Sequence, residues 1–221
     1  GDADAAPGSI AGFWESQEAC TDVSVTGNVV TVDFGTLEDN CEFGGRTYAG
    51  VDTITVLSAD PIGLAVLHDW NQFTNGNVTL DGTADVGWIG DEQTRYVQTD
   101  FVVANFVDAS ILEIHSDYVT SRLDPELAVR EGGFTLDGTR DWRSEAGEWS
   151  LEMEGLEVRP DDAAPQAGTL ILVNPKGNTL TIDYQRVDED TIAATVVGPD
   201  GLRRLFHIES NGDVETAGND D

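Results

Sequence analysis

The sequence predicts an all-β protein, an antiparallel meander of about ten to twelve strands rolled into a sandwich or an open barrel. Three observations predict it. First, apolar and polar residues alternate over long stretches. In Asn77-Val-Thr-Leu-Asp-Gly-Thr-Ala-Asp-Val-Gly-Trp88, the residues Val78, Leu80, Ala84, Val86 and Trp88 share one parity and Asn77, Thr79, Asp81, Thr83 and Asp85 the other. That is the pattern of a strand with one buried face. Second, Gly, Asn, Asp and Pro clusters interrupt the alternation at short intervals, as turns do. Third, a Thr-x-Asp word recurs after a Gly or Asn turn, with Thr31, Thr79, Thr135 and Thr181 spaced 48, 56 and 46 residues apart. Internal repeats of about 50 residues also suit a propeller, but a blade needs about four strands and each interval here holds about three, so a continuous meander is preferred.

The elements follow in order. Residues 1–9, opening Gly1-Asp-Ala-Asp-Ala-Ala-Pro-Gly8, are expected to be a flexible acidic leader at the start of a mature exported chain. A single all-β domain is expected over 10–209. Residues 10–18 form a turn of helix or a first strand anchored by Trp14, and 23–34 form one strand or two around Thr26-Gly-Asn28. Strands are predicted next over 47–57 and 64–73. The Asn75-Gly76 pair then favours a tight hairpin into 78–88. Further strands are expected over 95–106 and 111–120, followed by a longer loop or helical turn over 121–133. The remaining strands are 134–142, 147–158, 168–173, 179–187, 191–197 and 202–209, and the polar stretch 210–221 is expected to be an acidic, frayed tail.

Charge narrows the function classes. The chain of 221 residues carries 42 Asp and Glu against 11 Lys and Arg, a formal charge of -31, and Lys176 is its single lysine. Such a field repels phosphate backbones and anionic lipid surfaces, which disfavours nucleic acid and basic-patch membrane partners. It suits solubility, and a halophilic or marine setting in which counterions screen the self-repulsion. No apolar run approaches the ~20 residues of a membrane-spanning helix, so no transmembrane segment is predicted.

The two cysteines, Cys20 and Cys41, flank the first predicted hairpin. A disulfide between them would close a loop of about 20 residues and stabilise by about 3 kcal/mol. It would also imply an oxidising compartment, and hence a periplasmic, cell-surface or extracellular location. The alternative is two buried thiols. A closed zinc site needs four ligands, and no Cys-x-x-Cys is present.

The strand words Val78-Thr-Leu-Asp-Gly-Thr83, Phe134-Thr-Leu-Asp-Gly-Thr139, and Gly168-Thr-Leu-Ile-Leu-Val followed by Gly177-Asn-Thr-Leu-Thr-Ile182 span most of residues 20 to 209. In these words the chain resembles uncharacterised secreted or lipid-anchored β-rich proteins of Gram-negative bacteria. The resemblance implies an exported, lipoprotein-like β protein and transfers no active site.

Four constellations could carry chemistry. His68, His115 and His207 each sit in a late strand of their interval with an acidic residue close behind; converging strands would make them a metal site with carboxylate support, against the plainer reading of three unrelated strand histidines. Calcium suits the hard oxygens of Asp81, Asp85, Asp137 and Asp141, although no Asp-x-Asp-x-Asp-Gly loop exists and a solvated face explains them as well. Trp70, Trp88, Trp142 and Trp149 fill a core, or line a cavity for an apolar ligand if the rolled sheet is too wide to fill. Ser116, His115 and Asp117 hold the residue types of a hydrolytic triad, yet neighbours on a strand point to opposite faces and make no relay. There is no Gly-x-Ser-x-Gly elbow and no phosphate-cradling loop.

The reading that follows is a non-enzymatic exported module with a binding or structural role, at the cell surface or in the periplasm, whose partner is a protein or a small apolar ligand. One rival is a carrier of a lipid or other apolar ligand in the rolled sheet. The other is a metal-dependent hydrolase using His68, His115 and His207.

Overall fold

The structure, a computed structural model, describes residues 5–17, 20–43, 45–90, 93–127 and 129–220. A helix, α1 (Ala6–Gln17), precedes β1 (Asp22–Thr26), β2 (Val29–Asp33), a turn of 3-10 helix (Leu37–Asp39), β3 (Cys41–Phe43), β4 (Arg46–Asp60), β5 (Gly63–Thr74), β6 (Val78–Ile89), β7 (Thr94–Asn105) and β8 (Ile111–Arg122). A single turn, α2 (Val129–Gly132), leads into β9 (Phe134–Ser144), β10 (Gly147–Val158), β11 (Ala167–Val173), β12 (Thr179–Arg186), β13 (Thr191–Val197), β14 (Arg203–Glu209) and β15 (Val214–Asp220). The hydrogen-bonded order follows the sequence from β1 to β15, with β3 branching off β4. The expected all-β antiparallel meander is therefore the fold.

It has more strands than expected, 15 in the sheet. The 23–34 stretch divides at Gly27 into β1 and β2, which pair from Asp22↔Asp33 to Thr26↔Val29. Cys41–Phe43 makes a short strand against β4. The 210–221 tail, expected to fray, turns at Ser210 to Asp213 and pairs along β14. An edge strand needs backbone partners on one side only, so exposure of residues 211–217 does not prevent it.

Of the expected leader over 1–9, residues 1–4 lie outside the described residues, and α1 begins at Ala6. Proline is tolerated in a first helical turn, whose N–H groups have no intrahelical partner. Pro7 and Ala11 are buried and Trp14 is half-buried, a stripe at helical spacing. Trp14 meets Phe34 edge to face at 5.8 Å. Phe34 in turn packs against Phe73 at 5.2 Å.

The chain forms two compact units. The first holds α1, β1 to β6, β7 from Arg95 and β8 up to Ser116; the second holds β8 from Asp117, β9 up to Trp142, and β10 to β15. In the first, the register places Val30, Ile54, His68 and Ala84 in one row across β2, β4, β5 and β6, and Val32, Asp52, Trp70 and Gly82 in the next. Val30, Val32, Ile54, Val66 and Val86 are all at most 3% exposed, so these rows face the core.

The second unit buries Met153, Leu156, Ile192 and Ala194. Cross-strand pairs Met153↔Leu170, Leu170↔Ile182 and Ile182↔Val196 carry its apolar row over β10 to β13. Beside it, Arg186 bonds the Asp162 carboxylate and, through Nε, the Gln166 carbonyl at 2.9 Å, while Gln166 donates to Glu157 at 2.7 Å. This chain of polar partners makes burial of Gln166 and of most of Arg186 affordable.

Candidate functional site

Among the described residues Asp52 is the one carboxylate placed squarely in the core rows, at 3% exposure. Alternation alone puts it there, since Asp52, Ile54 and Val56 share a face of β4. His68 on β5 answers it, with Nδ1 2.9 Å from Oδ2 and 3.3 Å from Oδ1. The imidazole lies flat on Trp70 at 4.9 Å, and Trp70 meets Phe101 edge to face at 5.3 Å. Burial raises the Asp52 pKa; the hydrogen bond and charge of His68 pull it back, and Asp69 pushes it up again.

An ionised Asp52 makes Nδ1 the donor and leaves Nε2 of a neutral ring as the acceptor. Such a pair orients a base; hydrolytic use also needs a nucleophile in line with Nε2. Gly82 abuts Phe101 and Gly87 abuts the Tyr96 ring, a register that carries Ala84 beside Thr99. Ala84 therefore separates His68 from the Thr99 hydroxyl by two strand spacings, about 9.5 Å between backbones. The Thr99 hydroxyl is buried with no hydrogen-bond partner.

The other histidines lie elsewhere. His115 is on the exposed face of β8, and His207 is half-buried on β14 opposite Ala193. Among the described residues no group of three or more His, Cys, Asp or Glu side chains lies close enough to hold a metal ion. That covers the histidine trio and the aspartates read as calcium ligands.

Two of those aspartates have a structural occupation. Asp81 on β6 accepts the Gln72 N–H at 2.7 Å, where β5 bulges; Asp137 on β9 accepts the Gly155 N–H at 2.6 Å, where β10 bulges. A bulge leaves an amide out of the ladder, and the carboxylate takes it up. The next residue repeats the correspondence. Gly82 leaves no room for a methyl against the Asp100 carbonyl beside Phe101, and Gly138 none against the Asp117 carbonyl beside Tyr118. Gly50 on β4 lies against Gln72 and Gly168 on β11 against Gly155. The recurring Thr-Leu-Asp-Gly-Thr word thus marks one local device used twice, across β4-β5-β6-β7 and, in reverse sequence order, across β11-β10-β9-β8. Asp85 keeps one buried carboxylate oxygen without a partner, and Asp141 is exposed.

The four tryptophans have other occupations than lining the groove described below. Trp70 is spent on His68 and Phe101. Trp88, on the apolar parity of its strand, is 39% exposed at the end of β6, with the Arg95 guanidinium 5.6 Å from its ring. Trp142 and Trp149 stack in parallel at 5.9 Å across the β9–β10 hairpin. Cys20 and Cys41 form the expected disulfide.

The end of the expected leader and the 10–18 stretch, read as a turn of helix or a first strand, join in α1, beside which an apolar concavity lies. An open groove of about 570 Å3 runs between α1 and the β4–β5 tip, walled by Ala6, Ile10 and Phe13 on one side and Ala59, Asp60 and Leu64 on the other. Its size is within the range of about 300–1,000 Å3 usual for small-molecule sites. Ala6, Ile10 and Phe13 sit at helical spacing, a second apolar stripe beside Pro7, Ala11 and Trp14. That double stripe was the available signal. Phe13 at 53% and Ile62 at 60% exposure add apolar surface at this end. Asp60 is fixed as a turn cap, its Oδ1 accepting the N–H groups of Ile62 and Gly63, both at 2.9 Å. Comparison of the chain with protein-family models, curated proteins and solved structures finds no match.

Proposed function

We propose that this protein is a non-enzymatic exported module, working at the cell surface or in the periplasm, that binds an apolar ligand in the groove between α1 and the β4–β5 tip. The observation that carries the reading is the second apolar stripe of α1. Ala6, Ile10 and Phe13 are turned away from the helix's buried stripe and face Ala59 and Leu64 across open space. An isolated exposed Phe is ordinary, but an aligned apolar stripe over a concavity marks a binding surface. Export is supported by the Cys20–Cys41 disulfide and by the strand words shared with secreted and lipid-anchored β proteins. No helix among the described residues is long and apolar enough to cross a membrane.

Titration with the neutral fluorophore N-phenyl-1-naphthylamine tests this. Saturable binding at one site is expected, weakened about tenfold or more by Ile10→Gln and by Leu64→Gln in variants that keep the wild-type circular dichroism. Loss of a buried contact worth about 1.4 kcal/mol corresponds to tenfold. Non-saturable binding, or binding indifferent to both substitutions, would remove the reading.

A further inference from the structure

We infer that the ligand of this groove is a cationic amphiphile, one apolar chain carrying a positively charged head. The inference rests on the binding reading above and specifies its ligand class. Every wall of the groove comes from the first part of the chain, where no Lys or Arg other than Arg46 precedes Arg95. Over the same stretch acidic residues recur, among them Glu15 on α1, Asp22 and Asp33 on the first hairpin, and Asp60 in the wall itself. The whole chain carries -31. A site of one sign raises the local concentration of the opposite ion and repels its own.

The walls and the charge therefore select different parts of one molecule. Ile10, Phe13 and Leu64 take an apolar chain, and Asp60 stands in the same wall to meet a cationic head. The Asp60 carboxylate cannot swing away, because two backbone N–H groups hold one of its oxygens. A fatty acid would bring a like charge to the same place. A second copy of the chain would bring another -31, which opposes self-docking at low salt.

The test is displacement of bound N-phenyl-1-naphthylamine by three ligands of equal chain length, decyltrimethylammonium, decanol and decyl sulfate, each below its micelle concentration. At about 50 mM NaCl the ammonium is expected to displace at least about tenfold more tightly than the sulfate, with decanol between, and the gap should shrink in about 1 M NaCl, where the Debye length falls to ~3 Å. Asp60→Asn keeps the Oδ1 acceptor of the turn and removes the charge; it should weaken the ammonium several-fold and leave decanol unchanged. Equal displacement by all three heads, a preference for sulfate, or an Asp60→Asn effect on every ligand alike would overturn the cationic assignment while leaving the groove standing. No binding of the fluorophore or of any head would overturn both. Probe binding that weakens as protein concentration rises would assign the groove to a second copy instead.

Discussion

The Asp52 carboxylate lies 2.9 Å from Nδ1 of His68, on the adjoining strand, in a row of otherwise apolar core residues. Because burial outweighs the imidazole, the native carboxyl holds its proton to higher pH than its ordinary 3.8. The native state thus binds a proton more readily than the unfolded chain.

Asp52 therefore contributes stability that is complete below about pH 3.8 and is lost as pH rises through the raised native value. Asp52→Asn removes this titration and keeps an oxygen acceptor for the ring. Urea unfolding of both proteins from pH 3.5 to 7 should show wild type losing ground to the variant as pH increases. A difference flat in pH, or one moving the other way, would refute it. Asp52→Ala should cost about 1–3 kcal/mol at the acid end of this range, since it strands a half-buried imidazole nitrogen, and less as pH rises.

The twice-used bulge makes paired predictions. Gly82→Ala and Gly138→Ala each place a methyl against a backbone carbonyl, at φ 136° and 144°. Backbone strain of about 1–3 kcal/mol and crowding of similar size should together cost about 3 kcal/mol or more in each. At the bulges themselves the residues differ: Gln72 holds φ 49° with a side chain, and Gly155 holds φ 54° without one. Gly155→Ala should cost about 1 kcal/mol, while Gln72→Gly should be close to neutral. Equilibrium denaturation of the four variants checks the set, and a milder Gly82→Ala than Gly155→Ala would contradict the packing described.

Reduction of the Cys20–Cys41 bond, which spans a sequence separation of 21, should lower unfolding free energy by about 3 kcal/mol in the chain-entropy model. The double variant Cys20→Ala, Cys41→Ala should match the reduced wild type. If wild-type denaturation midpoints are the same with and without dithiothreitol, the bond contributes nothing.

Salt should stabilise the protein. A charge of -31 repels itself over a Debye length of ~30 Å at 0.01 M salt but over ~10 Å at 0.1 M and ~3 Å at 1 M. Tm should therefore climb most steeply below about 0.3 M NaCl and flatten above it. A Tm that falls or stays level across this range would show that the acidic residues are spaced too widely to matter.

Much of the fold was legible in the sequence because its signals are local. Period-two alternation marked β6 over Val78–Ile89, the Asn75-Gly76 pair marked its hairpin, and Cys20 and Cys41 flanking one hairpin marked the disulfide. The full length of α1 was not legible, because Ala, Pro and Gly over residues 5–8 read as leader composition while 10–18 suited a turn of helix or a first strand, and its two apolar stripes gain meaning only when β4 and β5 lie beside them. The tail was missed because polar edge strands have no alternation to see.

The aspartates show where local reading stops. The recurrence of Thr-Leu-Asp-Gly-Thr was plain in the sequence, but whether Asp81 and Asp137 meet an ion, water or a bulged amide depends on the register of the next strand, which no residue in the word encodes.

By itself the sequence determined the fold class, the strand vocabulary, the staple and the charge, because backbone preference and side-chain parity are properties of neighbouring residues. Only the tertiary structure decided that His68 belongs to Asp52, that the three histidines form no metal-holding group among the described residues, and that α1 walls a groove. These depend on contacts between residues distant in the chain, and packing, through burial and register, chooses among the many pairings that composition allows.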